Sequence, residues 1–198
     1  MTFVRRSTAH GHAAYTLVEL IIVIAVLGLA SALLVPYLVG RDSLQVQAAV
    51  RQVIADLSFA QSDALAYQGY RRVHFYEDGR GYCLVRMAND GSDLGAPFDP
   101  DTADYVNDPL AAAGELGQYI VDFSTDERYE GVWITSADID DDSELPVNLH
   151  YGPLGGTRMA GVGAPPGLGG QIVIASDEYS YEITIAPFTG KLTVRKLP

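Results

Sequence analysis

The chain has 198 residues, a mass of 21.3 kDa, one cysteine, 13 basic and 25 acidic residues, and a formal net charge of −12. That length admits one globular domain plus an attachment, and 48% hydrophobic residues exclude a wholly disordered chain. Cys83 alone excludes a fold stapled by internal disulfides, and one Cys with four His excludes a zinc framework. The acidic balance disfavours broad attraction to nucleic-acid phosphate, which needs a basic face.

The apolar residues concentrate near the N-terminus. Met1 to Ala14 carries Arg5 and Arg6 and no acid, and Leu20 to Tyr37 follows without a charge. That run is about 18 residues, the lower edge of what spans a bilayer as a helix. A basic segment before it keeps its own end in the cytoplasm and sends the rest of the chain across. Without the leader, 11 basic residues remain against 25 acidic, a formal charge of −14. Three readings compete: a cleavable secretory signal, for which Ala30-Ser31-Ala32 supplies a small-residue site; a plain anchor; or an assembly helix. Glu19 discriminates among them, because a carboxylate near the bilayer centre costs ~2.5–3.5 kcal/mol. A signal or anchor has no use for it, whereas a neighbouring subunit can offer it a positive partner.

Ala13-Ala14-Tyr15-Thr16-Leu17-Val18-Glu19-Leu20 and the apolar run after it resemble the N-terminus of prepilins. Ala14 stands where that family usually has Gly, and Tyr15 where it usually has Phe. The resemblance implies cleavage between Ala14 and Tyr15 by a prepilin peptidase, N-methylation of Tyr15, and pairing of Glu19 with the Tyr15 amine of an adjacent subunit. It also implies a helix kink at Pro36. The partners it implies are other pilin or pseudopilin subunits, the peptidase, the inner membrane and secreted cargo. The location implied is a single pass through a bacterial inner membrane with the C-terminal domain in the periplasm.

From Arg41 the pattern turns amphipathic. Val46, Val50, Val53, Leu57, Ala60 and Ala64 step by four and three and mark one buried helix face. Arg51, Gln52, Asp56 and Ser62 fall off that stripe, and Gly69 is the expected left-handed cap. Tyr15 to Gln68 is expected as one nearly continuous helix, weakest at Gly28 and Pro36. The segment Arg51 to Ala64 resembles the helix of GspH/FimT-type minor pilin-like proteins, with Gln61 at the position of their usual Arg.

Beyond Gly69 the period becomes two. Arg72–Tyr76 and Tyr82–Arg86, joined through Asp78-Gly79-Arg80-Gly81, predict a hairpin. Further strands are expected at 132–135, 147–150, 171–175, 181–185 and 191–195, and short consecutive strands favour an antiparallel sheet. Met87–Gly117 and Gly152–Gly170 read as long loops. The expected class is α+β and pilin-like. Its parts are a leader at 1–14, a transmembrane or filament-core helix at 15–39, an amphipathic helix at 40–69 and a β-rich periplasmic domain at 70–198.

Two clusters are candidate sites. Asp138, Asp140, Asp141, Asp142 and Glu144 could offer oxygen ligands to Ca²⁺, but EF-hand spacing is absent and a solvated acidic loop is the favoured reading. Lys191, Arg195 and Lys196 form a small basic patch of the kind FimT-like members use on DNA. Protection of an edge strand is the favoured reading. His74 and His150 read as structural or surface residues rather than catalysts, and Cys83 as a buried free thiol. No catalytic motif is present and no cofactor is expected. The function expected is a structural subunit of a type II secretion pseudopilus or type IV pilus, not an enzyme. The alternative is an anchored or secreted periplasmic binding domain that takes up DNA or another ligand.

Overall fold

A computed structural model of the chain describes residues 16–39, 41–109, 117–143, 145–161 and 163–198. The chain divides into two compact units, Met1–Gly40 and Arg41–Pro198. Helix α1 spans Leu17–Val39 in the first unit, and helix α2 spans Arg41–Tyr67 in the second. The single rod expected from Tyr15 to Gln68 is thus described as two elements, with Tyr15 and Gly40 outside the described residues.

Helix α1 opens on Thr16, whose Oγ1 accepts the Glu19 N–H at 3.2 Å and whose carbonyl accepts the Leu20 N–H at 3.2 Å. That is an N-cap, which satisfies a backbone donor at the helix start. Leu20, Ile21, Ile22, Val23 and Ile24 are each at least half exposed. Consecutive helical residues lie 100° apart, so no face of this stretch is covered. The helix continues through Pro36. Among the described residues, no helix is long and apolar enough to cross a membrane.

In the second unit the stripe is found as predicted: Val46, Val50, Val53, Leu57, Ala60 and Ala64 are all buried. Asp56, expected off the stripe, is buried as well. The C-terminal cap also differs. Gln68 takes the left-handed conformation (φ 49°), and the Gly69 N–H reaches the Ala64 carbonyl at 3.1 Å while Gln68 N–H reaches Leu65. This is a Schellman arrangement with the left-handed residue one position earlier than expected. Gly69 still has a reason to be glycine, since a Cβ there would come 2.9 Å from both Arg71 and Asn89.

The strands are β1 (Arg71–Phe75), β2 (Gly81–Arg86), β3 (Ile120–Asp122), β4 (Trp133–Ile139), β5 (Val147–Tyr151), β6 (Thr157–Arg158), β7 (Gly170–Ala175), β8 (Ser180–Ile185) and β9 (Leu192–Lys196), with a 3₁₀ turn at Glu127–Tyr129. They form two antiparallel sheets in the orders β3-β2-β1-β5-β6 and β4-β7-β8-β9. The predicted hairpin is β1–β2, with Arg72 opposite Val85 and His74 opposite Cys83. The result is an α+β fold whose α2 touches β1, β5, β7, β8 and the 3₁₀ turn, and so joins both sheets.

Every residue of β1 is buried despite its alternating polarity. Val73 and Phe75 join the hydrophobic core that includes the α2 stripe. His74 lies against the segment after β2, stacked on Phe98, and Arg72 bonds to its backbone at Leu94. The loop expected from Met87 is a loop over 87–109, without a named helix or strand, yet it covers this face of β1 and is held by backbone bonds such as Val106 N–H to Leu84 O at 2.9 Å. Leu57→Ala should cost about 2–5 kcal/mol of folding stability, because it opens a cavity at the centre of the α2 interface. Denaturant midpoints of the full chain measure this, with exposed Ala55 as the control position. A loss no greater than that of an Ala55→Ser control contradicts the packing.

Candidate functional site

The assembly candidate begins at the start of α1. Ala14 and Tyr15 lie outside the described residues. Glu19 stands three residues after the Thr16 cap, in the first turn of α1, exposed, and with no side-chain partner among the described residues. An acid in the first turn also complements the helix macrodipole, so Glu19 has a local helix-starting role beside any role in assembly. The spacing Thr16-Leu17-Val18-Glu19 carries that information as a capping-box pattern, which the prepilin resemblance alone had hidden.

The acidic candidates resolve into turn chemistry. Ile139 and Asp142 exchange N–H···O bonds at 2.9 and 3.0 Å, and Asp140 and Asp141 between them have φ of 57° and 70°. Two left-handed residues make the tight turn that a right-twisted hairpin needs, and Asp tolerates that conformation. Asp140 Oδ1 accepts the Leu168 N–H at 2.6 Å, and Asp140 N–H donates to Gly169 O at 2.9 Å, so this turn is sewn to residues 168–169. Burial pushes the Asp140 carboxyl up, against the Leu168 and Gly169 N–H groups. Asp138 lies in β4 opposite Gln171. Glu144 lies outside the described residues. Among the described residues, no group of three or more His, Cys, Asp or Glu could hold a metal ion.

The basic candidates are partly committed elsewhere. Arg195 donates to both Glu182 oxygens at 3.1 and 3.2 Å, and Lys196 Nζ sits 4.8 Å from the centre of the Tyr179 ring. Both lie on β9, an edge strand of the second sheet. Charges on an edge discourage pairing with foreign strands. Lys191 precedes β9, and its backbone N–H caps onto Thr189 Oγ1 at 3.3 Å.

His74, His150 and Cys83 share the outer face of the first sheet. Arg72 Nε donates to His150 Nε2 at 3.1 Å, while its terminal nitrogen donates to Asp93 O and Leu94 O at 3.1 and 2.7 Å. Accepting at Nε2 fixes His150 as a neutral ring with its proton on Nδ1. Burial, reinforced by the Arg72 charge, pushes His150 down to about 3. His74 is likewise lowered by burial. It stacks on Phe98 with ring centroids 4.0 Å apart, and its Nδ1 lies 2.8 Å from Asn148 Oδ1. Cys83 is fully buried, and burial pushes its thiol up to about 11. A neutral histidine and an un-ionised thiol under a lid of backbone are poor catalysts.

Two residues have roles that the sequence did not disclose. Gln61 donates to Gly155 O and Thr189 O at 2.5 and 2.8 Å. One carboxamide thus ties α2 to two loops. Around this clamp Leu65, Leu154 and Phe188 remain largely exposed, Phe188 with a left-handed φ of 60°. The second residue is Asp56, which is 2% exposed and accepts Tyr82 OH at 2.5 Å, Tyr119 OH at 2.8 Å and Gln52 Nε2 at 2.8 Å. Gln52, four residues earlier on α2, is a local i,i+4 partner, but no local signal identifies the two tyrosine donors, from β2 and residue 119.

A pH prediction follows from His150. Its folded pKa lies below the unfolded value of 6.5, so its contribution is intact above that value and drains away as pH falls from 6.5 toward 3. The His150 ring resonances should stay fixed between pH 8 and 5 by NMR. A normal imidazole titration near 6.5 contradicts the buried Arg72–His150 arrangement.

No protein-family model matches the chain, and no curated protein sequence matches it. Among solved structures, the minor pseudopilin EpsH from the type 2 secretion system of Vibrio cholerae overlaps 77% of this chain and 96% of that one. The TM-score is 0.46 and the sequence identity 11%, a likeness too distant to assign either fold family or function.

Proposed function

We propose that the chain is a pilin-like structural subunit of the GspH/FimT minor-pseudopilin type, built into a type II secretion pseudopilus or a type IV pilus. The observation that carries this reading is the start of α1: a Thr16 cap, Glu19 in the first turn, then an apolar helix bare on every side. A bare apolar helix needs lipid or other helices as its surroundings. The basic leader and the Ala14–Leu20 motif supply the processing logic. A prepilin peptidase cuts between Ala14 and Tyr15, and Tyr15 becomes the methylated N-terminal residue. The apolar helix holds the subunit in the inner membrane, with the two-sheet domain in the periplasm. Glu19 then pairs with the Tyr15 amine of a neighbouring subunit as the filament grows, Pro36 bends the helix within it, and the exposed domain meets sibling subunits or cargo.

DNA uptake is the weaker alternative. Glu182 neutralises Arg195, which leaves Lys191 and Lys196 as the charges of this patch that could meet phosphate. Each released counterion comes from a neutralised phosphate, so few free cations mean shallow salt dependence.

Glu19→Gln separates assembly from helix starting, because Gln is also accepted at the third position of a capping box. Membrane insertion should match the wild type. Incorporation into filaments should fall by about tenfold or more, since leaving one member of a buried ion pair alone costs ~3–5 kcal/mol. Wild-type incorporation of Glu19→Gln contradicts the pairing mechanism.

A further inference from the structure

The Asp56 carboxyl joins α2 to the edge of the first sheet. Oδ2 accepts the Tyr82 hydroxyl of β2; Oδ1 accepts the Tyr119 hydroxyl and the Gln52 amide. Gln52 Oε1 in turn accepts Tyr129 OH from the 3₁₀ turn at 3.2 Å. Every donor in this network is neutral. Among the described residues, the ion pairs lie elsewhere: Asp63–Arg71, Asp104–Arg86, Asp126–Arg128 and Glu182–Arg195. Arg128, the cation of the 3₁₀ turn, is held by Asp126 and lies over the Tyr129 ring. Asp108 adds negative potential. A cavity of about 330 Å³ lined by Gln52, Asp108, Tyr119, Arg128 and Tyr129 gives water a way in beside the network.

A buried carboxylate without a counter-charge favours its protonated form. Here burial pushes Asp56 up, and the three donors only partly offset it. Tyr82 and Tyr119 are pushed above the ordinary phenol range, chiefly by burial, and stay protonated; burial raises Tyr129 as well.

We propose that Asp56 is a proton-operated latch between α2 and the edge segment 117–132, closed when its carboxyl is protonated and loosened when it is ionised. When the carboxyl is ionised Tyr82 donates to Oδ2; when it is protonated the proton lies on Oδ2 in the same 2.5 Å contact and Tyr82 Oη becomes the acceptor, while Oδ1 keeps accepting from Tyr119 and Gln52. Opening wets the carboxyl and releases its proton to water, because the exposed group returns to an ordinary pKa near 3.8. The sign follows: opening becomes easier as pH rises from that value to the closed-state pKa, and then levels off. His74 and His150, on the other face of the same sheet, act in the opposite sense. Their lowered pKa values make the covering layer at 88–98 looser as pH falls below 6.5.

Hydrogen exchange with mass-spectrometric readout tests this on the full chain in detergent micelles between pH 4 and 8, with rates divided by the intrinsic rate of unstructured peptide. Peptides from 117–132 should open more readily with rising pH, by up to about tenfold per unit, and then reach a plateau. Peptides from β7 and β8 should stay flat. Asp56→Asn should abolish the slope. Tyr119→Phe removes a donor that favours the carboxylate, and should move the plateau to higher pH. If Asp56→Asn does not fold, Tyr119→Phe decides alone. A flat wild-type profile at 117–132, an undiminished slope in Asp56→Asn, or a plateau that stays put or falls in Tyr119→Phe overturns the latch.

Discussion

The apolar surface of α1 is the constraint on which the rest depends. Leu20 to Ile24 point around the full circumference of the helix, and nothing in their own unit covers them. Burying a Val, Leu or Ile side chain is worth ~1.5–3 kcal/mol, so several such residues left in water make a strong drive toward lipid or another helix. That drive has no direction of its own. Glu19 supplies direction, as the one acid among these residues, placed where the helix begins. On the reading offered here, apolar burial drives association and one charge sets the register.

The second unit solves a different problem. A single helix must join two sheets, and α2 does so with small residues where the approach is close. Ala49, Ala60 and Ala64 are buried alongside Val53 and Leu57. Polar side chains then pin the edges. Gln61 holds the loops at Gly155 and Thr189, Asp63 pairs with Arg71 at the start of β1, and Asp56 gathers Tyr82 and Tyr119. The tight turns obey the same economy. Gly190 has φ 66° and a Cβ there would press to 2.9 Å from the Tyr151 ring, so only glycine lets the Thr189 turn close on the clamp.

Elements with local causes were legible in the sequence. The stripe from Val46 to Ala64 reports burial because helical period alone decides which side chains share a face. The β1–β2 hairpin and the last three strands declared themselves through alternation and turn residues. Asp56 was misread because its type argues for solvent, while its burial depends on tyrosines 26 and 63 positions away. Arg72 and His74 stood in the alternating pattern that predicts the hairpin, but alternation alone does not say that their face is covered. The layer that covers them comes from a segment whose Asp, Pro and Gly content looks like loop, and whose packing rests on Leu94 and Phe98. The acidic cluster reads first as a solvated loop, and two of its members have the more specific task of left-handed turn residues. Gln61 carries no local signal, since its two acceptors lie 94 and 128 positions away.

The central claim is that α1 stays on the mature protein and begins at a processed N-terminus. Intact mass and N-terminal sequencing of the protein isolated from the cell envelope test that directly. The account predicts a chain that starts at Tyr15 and is heavier by one methyl group. A mature chain that starts at Leu33, with the apolar helix removed, would contradict it.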